Sequence, residues 1–121
     1  MKITSVRTAV IDGNFAWVLV RIETDSGLSG LGEAYWGAGV AELVHRAGSL
    51  IVGEGPVNIG KLMFLMERCL SGEGSQAGAT VTAMSGIEIA LWDLVGRIHQ
   101  APISTLFGGR FRDKVRVYAD C

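Results

Sequence analysis

The sequence is poor in charge, in cysteine and in long apolar runs, and each shortage excludes a class of protein. Charged residues make up 19% of the 121 residues and the formal net charge is -1. A nucleic-acid or anionic-membrane partner would favour a basic excess, so we expect neither. No apolar run reaches the roughly 18 residues of a membrane span, and the alternating N-terminal segment lacks the apolar block of a signal peptide. Cys69 and Cys121 are too few for a disulfide scaffold, so we expect a cytoplasmic protein with reduced thiols.

What is present is a chain of which 49% is hydrophobic, enough for one domain with its own core. The first 36 residues have the alternation of strands: Val18, Val20 and Ile22 face one way and the residues between them the other. We expect turns at 12–15 and 24–27, with a positive φ at Gly13 or Asn14 in the first and at Gly27 in the second. A third strand over 28–36 completes a predicted antiparallel meander.

From about residue 39 the apolar residues recur every three or four positions, which predicts helices. The first begins near residue 39, the second follows an N-cap at Asn58, and the third runs from about Thr80 to His99. Pro102 starts a short helical turn that stops at Gly108. The predicted fold class is therefore α+β, a three-stranded antiparallel meander followed by a bundle of three to four helices.

Two features do not fit a domain complete in itself. The third predicted helix is apolar on nearly all sides, and its own sheet covers only one of them, so we expect exposed apolar surface along Ile87–Val95. The strand-like run at 113–121 ends the chain and would leave an unpaired edge, which natural domains avoid. Both features predict that these residues belong to a larger architecture.

The glycines of "GLSGLG" have the spacing G-x-x-G-x-G, the reverse of a dinucleotide fingerprint. They lie between two strands, whereas a phosphate cradle needs a strand-to-helix turn. The alternative is that Gly27 turns the hairpin while Gly30 and Gly32 allow close backbone approach, and this is the interpretation we favour.

No complete catalytic or metal site is visible in the sequence. His45 and His99 lie on different predicted helices, the carboxylates are scattered, and neither cysteine has a histidine nearby. We therefore assign no catalytic residue and no metal ligand within 1–121. Glu33 and Glu88 lie in apolar surroundings, so each is expected to be hydrogen-bonded or paired. Asp93 and Arg97, four apart on one helix, are expected to pair with each other.

Four aromatic residues flank the two glycine-containing turns: Phe15 and Trp17 in the first hairpin, Tyr35 and Trp36 after the third strand. Aromatics in such places usually serve packing. The alternative is that they form the wall of a movable lid, with Gly37 and Gly39 giving the freedom to close.

Three segments, "VRIETDSGLSGLGEA", "SGIEIALWDLVGRIHQAPISTLFGG" and "RDKVRVYA", resemble the N-terminal domain of the mandelate racemase and muconate lactonizing enzyme branch of the enolase superfamily. The resemblance covers nearly the whole chain, and its motifs occur in the family's order. It implies a capping domain at 1–112 and the first strand of a TIM-type barrel at 113–121, with the rest of the barrel missing from this chain. Asp120 and Cys121 would lie near the active-site end of that strand.

The resemblance also implies the chemistry. The barrel of such enzymes holds Mg²⁺ and bases that remove a proton alpha to a carboxylate, while two cap loops, here near 13–17 and 34–39, close over the substrate. On this basis Phe15, Trp17, Tyr35 and Trp36 are the predicted substrate-capping residues. The expected partners are a small carboxylate substrate, the chain's own barrel domain and, at full length, further copies of itself.

The leading hypothesis is therefore the cap of an acid-sugar dehydratase or a hydroxy-acid racemase, inactive without its barrel. The rival is a stand-alone α+β binding or dimerisation module without catalytic activity.

Overall fold

The computed structural model describes residues 1–71 and 77–119. Its sheet has three antiparallel strands in the order β1 (Ile3–Asp12), β2 (Ala16–Thr24) and β3 (Ser29–Glu33). The predicted meander is confirmed, although β3 ends three residues earlier than expected. The register places Val10 opposite Val18 and Leu19 opposite Glu33. Val18, Val20 and Ile22 of β2 share one face of the sheet and are buried.

The positive φ expected in the two hairpin turns was found in the second turn and not in the first. Gly27 has the expected left-handed backbone, with φ of 82°. The expectation for Gly13 and Asn14 was wrong, because neither has a positive φ. The first turn is closed instead by the Gly13 N–H, which donates to the Phe15 carbonyl at 3.0 Å, and by the Trp17 indole, which donates to Asn14 Oδ1 at 3.0 Å.

Four helices follow the sheet: α1 (Val40–Ser49), α2 (Ile59–Leu70), α3 (Ala79–His99) and α4 (Ile103–Leu106). Asn58 has the predicted N-cap position of α2, but its side chain makes no capping hydrogen bond. At the end of α3, Gln100 has φ of 51°, and the amides of Gln100 and Ala101 donate to the carbonyls of Arg97 and Gly96. This is the pattern of a Schellman C-cap, which explains why the helix stops before Pro102.

The core lies between the sheet and the helices, and α3 occupies its centre. One side of α3 packs on β2 and β3, and the other packs on α1 and α2. The expectation of exposed apolar surface along Ile87–Val95 was wrong, because Ile87, Leu91 and Leu94 are fully buried within this chain. The sheet is not the only cover of α3, because α1 and α2 pack on it as well. Ile89 does remain 50% exposed, and Trp92 is half-buried against Phe107, with ring centroids 4.4 Å apart.

The close approach predicted at Gly30 and Gly32 is confirmed. A Cβ at Gly30 would overlap the carbonyl oxygen of Ala90, and a Cβ at Gly32 would overlap that of Gly86. From the helix side, a Cβ on Gly86 would lie 2.5 Å from the Cβ of Ala34. The backbone of β3 therefore rests directly on the backbone of α3, and this contact positions the loop that follows β3.

The segment 113–119 forms no strand with any described residue, and Val115, Val117 and Tyr118 are exposed. A strand needs a neighbour to pair with, so the predicted start of a barrel at 113–121 stays a prediction. Asp120 and Cys121 lie outside the described residues. None of the helices in the described ranges is both long and apolar enough to cross a bilayer. The expected cytoplasmic location stays a prediction.

Candidate functional site

Two loops meet at one end of the sheet. The turn at 13–15 joins β1 to β2, and the loop at 34–39 joins β3 to α1. Val18 binds the second loop to β2: its N–H donates to the Tyr35 carbonyl and its carbonyl accepts from the Ala34 N–H, both at 2.8 Å. Pairing therefore continues past the end of β3, and it places Tyr35 and Trp36 beside Phe15 and Trp17. We call 13–15 and 34–39 the lid loops.

The four predicted aromatic residues form one contiguous group, which we call the aromatic cluster (Phe15, Trp17, Tyr35 and Trp36). The rings of Phe15 and Trp36 are stacked at 5.4 Å and nearly parallel, at 9°. Trp17 meets Phe15 and Tyr35 edge-on, each at 5.6 Å, and Tyr35 lies 6.0 Å from Trp36. Each of the four rings thus contacts a ring from another segment of the chain. Stacked and edge-on arrangements are the geometries that aromatic pairs prefer. The structure shows that the four rings contact one another. Their role in capping a substrate stays a prediction.

The aromatic cluster is only partly used in packing. Phe15 is 43% exposed, Tyr35 50% and Trp36 46%. Val10 and Ile11, at the adjoining end of β1, are also exposed. Half-exposed aromatic rings grouped in this way on a folded domain commonly mark an interaction site. Packing among the four rings therefore accounts for their arrangement but not for the open apolar surface that they present.

The backbone conformation of Tyr35 was not predicted from the sequence. Its φ is 55°, a left-handed conformation that is uncommon for a residue with a side chain. Gly37 and Gly39, with φ of 152° and 78°, complete a loop path that depends on such conformations. The two hydrogen bonds of Val18 hold Tyr35 in this conformation. The hydrogen bond between the Trp17 indole and Asn14 was not predicted either. The position of Asn14 three residues before Trp17 allows this contact, which closes the turn.

The two stretches of sequence that carry the aromatic cluster contain acidic residues but no basic ones. The stretches 10–17 and 33–40 contain no lysine, arginine or histidine, and their charged residues are Asp12 and Glu33. Both are exposed. Glu33 was expected to be hydrogen-bonded or paired because its neighbours in sequence are apolar. This expectation was wrong, because Glu33 lies exposed on the outward face of β3. Glu88, by contrast, is half-buried and accepts a long hydrogen bond from the Trp92 indole at 3.4 Å.

A second group of charges lies on the outer face of the sheet. Glu23 accepts a hydrogen bond from Ser5 Oγ at 2.8 Å, and lies 3.3 Å from Arg7 and 3.5 Å from Arg21. The Ser5 hydrogen bond, aided by the two guanidinium groups, lowers the pKa of Glu23 below its ordinary value of 4.5. Ser5, Arg7 and Arg21 all contact the Glu23 carboxylate, so this group is a surface network of the sheet.

The predicted pair of Asp93 and Arg97 is confirmed, with 3.0 Å between Oδ2 and Nε. The same oxygen accepts from the backbone N–H of Leu31 at 2.9 Å, a contact that the sequence did not predict. Asp93 therefore satisfies an amide on the free edge of β3 as well as the guanidinium. A pocket of about 340 Å³ adjoins this pair, lined by residues 100–103 and by Asp93, Gly96 and Arg97, none of which belongs to the lid loops.

The described residues contain no group of three or more histidine, cysteine or carboxylate side chains that could hold a metal ion. His45 Nε2 instead lies 2.9 Å from Thr8 Oγ1, and Cys69 is exposed with a free thiol. Asp120 and Cys121, expected near a barrel active site, are outside the described residues.

A meander covered by helices, with two aromatic loops at one end of the sheet, is the architecture of a capping domain. The family model of the mandelate racemase / muconate lactonizing enzyme N-terminal domain matches residues 2–108. The chain belongs to this family, and its fold is that of the N-terminal domain of the enolase superfamily.

Among curated proteins, the chain is 47% identical to D-xylonate dehydratase of Haloferax volcanii, over 98% of this chain and 29% of that protein. It is 38% identical to D-galactarolactone cycloisomerase of Agrobacterium fabrum, over 98% of this chain and 35% of the relative. Among solved structures, a mandelate racemase/muconate lactonizing enzyme-like protein from Rubrobacter xylanophilus is 44% identical with a TM-score of 0.91, covering 99% of this chain and 31% of that one. The chain thus spans about a third of the length of these relatives.

Proposed function

We propose that this chain is the substrate-capping domain of an acid-sugar dehydratase of the enolase superfamily. The half-exposed aromatic cluster, which joins two loops at one end of a rigid sheet, is the observation that carries the proposal. Membership of the family and the names of the relatives support it. The stand-alone binding module, the rival hypothesis, receives no support from these relatives, each of which is about three times as long as the chain.

The division of labour follows from what the chain contains. Because no described cluster fits a metal, the divalent ion that family membership indicates, which we propose is Mg²⁺, is held by a barrel domain outside these residues. When bound, such an ion stabilises the negative charge that forms when a proton alpha to the carboxylate is removed. The aromatic cluster covers the rest of the substrate, fixes its orientation and keeps water from the reacting atoms.

The test uses the full-length protein with a panel of acid sugars, Mg²⁺ and proton NMR detection. Dehydration removes the alpha proton and the neighbouring hydroxyl and yields a 2-keto-3-deoxy acid, which we expect as the product. Addition of EDTA should abolish the reaction and excess Mg²⁺ should restore it. Turnover of no acid sugar would contradict the proposal.

Cycloisomerisation is a second candidate, and the similarity to the Agrobacterium fabrum enzyme favours it. It begins with loss of the same alpha proton but conserves the atoms of a lactone substrate. Mass spectrometry separates the two reactions, because dehydration of an acid sugar lowers the mass by one water and cycloisomerisation leaves it unchanged. Racemisation also conserves mass and is distinguished by optical rotation.

A further inference from the structure

The charge of the lid loops distinguishes between the two ends of an acid-sugar substrate. The reacting carboxylate of such a substrate needs a cation. The stretches 10–17 and 33–40 supply none, because they contain no lysine, arginine or histidine. If the chain caps an acid sugar as proposed above, the lid loops therefore face the end of the substrate that is remote from the reacting carboxylate.

We propose that the lid selects acid sugars whose remote end is uncharged, the aldonates, over aldarates, which carry a second carboxylate at that end. The inference rests on the proposed function and deepens it, because it names the class of acid sugar. Two observations support the inference: the lid loops contain no cationic side chain, and they expose aromatic rings with polar tips.

A second carboxylate under this lid would lose water without gaining a partner. The aromatic rings offer apolar faces, and burying an ionised carboxylate without a paired cation is costly. Asp12 and Glu33, the charged residues of the two stretches, have the same sign as the carboxylate and add repulsion. Arginine would be the usual residue for holding a carboxylate by two parallel hydrogen bonds, and the lid loops have none.

The same surface suits a hydroxylated carbon chain. The half-exposed rings of Phe15 and Trp36 offer apolar area to the C–H groups of a sugar. The Tyr35 hydroxyl and the Trp36 indole N–H have no hydrogen-bond partner among the described residues, so both can pair with substrate hydroxyls. A polyol end would thus satisfy the polar tips of the aromatic cluster, while a carboxylate would meet no compensating charge.

The experiment compares kcat/KM of the full-length enzyme for each aldonate with that for the aldarate of the same configuration, at a pH where every carboxylate is ionised. We expect the aldonate to be preferred about tenfold or more, a difference equivalent to about 1.4 kcal/mol. D-galactonate and galactarate form one such pair, and D-xylonate and xylarate another.

A charge variant tests whether the lid is responsible. Ala38 lies exposed in the second lid loop and belongs to no ring contact. Ala38→Arg supplies the missing cation and should reduce the aldonate preference severalfold. Ala38→Gln, which adds a neutral polar side chain, should leave the ratio as in the wild type. Equal effects of the two variants would show that charge in the lid does not set the preference and would overturn the inference.

The outcomes separate the two proposals. An enzyme that dehydrates aldarates as well as or better than aldonates overturns the inference and leaves the proposed function standing. An enzyme that turns over neither class overturns the proposed function, and the inference falls with it. A preference for aldonates that Ala38→Arg reduces and Ala38→Gln preserves supports both.

Discussion

At the scale of single residues, the tightest contacts in this fold occur where side chains are missing. Gly32 and Gly86 bring the backbones of β3 and α3 together, and Gly30 does the same one turn further along α3. The lid loop at 34–39 begins directly after this contact. Its geometry therefore depends on residues that never touch the aromatic cluster.

Gly32→Ala should destabilise the chain by about 2–3 kcal/mol, because the new methyl group overlaps the carbonyl oxygen of Gly86 and the backbone must move. Urea unfolding followed by circular dichroism measures the effect. Gly60→Ala is the matched control, since nothing lies within 4 Å of its added Cβ and the site is in α2. The control should be neutral or stabilising by up to about 1 kcal/mol. Equal losses in both variants would refute the close-contact explanation.

Glu23 gives a pH-dependent prediction. Because its pKa is lowered in the folded chain, its stabilising contribution is complete above the ordinary value of 4.5 and is lost as the pH falls through the lowered folded value. Glu23→Gln should therefore unfold at lower urea than the wild type at pH 7, and the difference should shrink at pH 3. Glu33→Gln, which removes a carboxylate from the same outer face but no described ion pair, should show a smaller difference at pH 7. A gap for Glu23→Gln that is constant with pH would be inconsistent with this account.

Single residues also show how far the sequence could be interpreted. The close approach at Gly30 and Gly32 was predictable, because glycine inside a strand has few other uses. The left-handed backbone of Tyr35 was not, since it arises from the hydrogen bonds of Val18 across the sheet and no local pattern favours it. Glu33 was misjudged because apolar neighbours in sequence do not reveal which face of a strand a residue occupies.

At the scale of elements, Asp93 links α3 to the free edge of β3. One carboxylate oxygen accepts from both the Leu31 amide and the Arg97 guanidinium. The amide would otherwise belong to an unpaired strand edge, which exposes a sheet to pairing with other chains. The contact joins the helix and strand that carry the glycine contacts, so it reinforces the same packing.

Asp93→Ala should lower the free energy of unfolding by about 1–2 kcal/mol, since it removes two hydrogen bonds to a charged group that is partly exposed. Arg97→Gln removes the ion pair but keeps the Leu31 contact, and should cost less than about 1 kcal/mol, as is usual for surface pairs. Chemical denaturation of both variants tests the order. A larger loss in Arg97→Gln than in Asp93→Ala would show that the ion pair, and not the strand edge, is the important contact.

The helices show why elements were easier to predict than their packing. Spacings of three and four residues located the starts of α1, α2 and α3 to within about a residue, because the periodicity is local. Which helix covers which side of α3 is a tertiary property that local periodicity does not encode. For this reason the side of α3 that α1 and α2 cover was expected to be exposed. The strand expected at 113–121 is the converse case: its alternation is clear, but pairing needs neighbours that the described residues do not provide.

At the scale of the whole molecule, the hydrophobic core of the described residues lies between the sheet and the helices. Exposed apolar side chains occur at the aromatic cluster, at Phe107 and along 111–118. The fold class and the four aromatic residues were predictable from the sequence, the latter because they flank the two turns. Their meeting in one cluster required the register of β2 and β3. If the chain is a substrate cap as proposed, its effect is to be measured in the full-length enzyme.

The most direct measurement is kcat/KM of the full-length enzyme for its best acid sugar in Tyr35→Ala and Trp36→Ala, with Phe64→Ala, an exposed aromatic of α2 outside the lid, as the control. We predict that each lid variant loses about tenfold or more, equivalent to about 1.4 kcal/mol of transition-state binding, while its urea midpoint stays close to the wild type. The control should keep full activity. Lid variants as active as Phe64→Ala across the whole panel of acid sugars would contradict the capping role of the aromatic cluster.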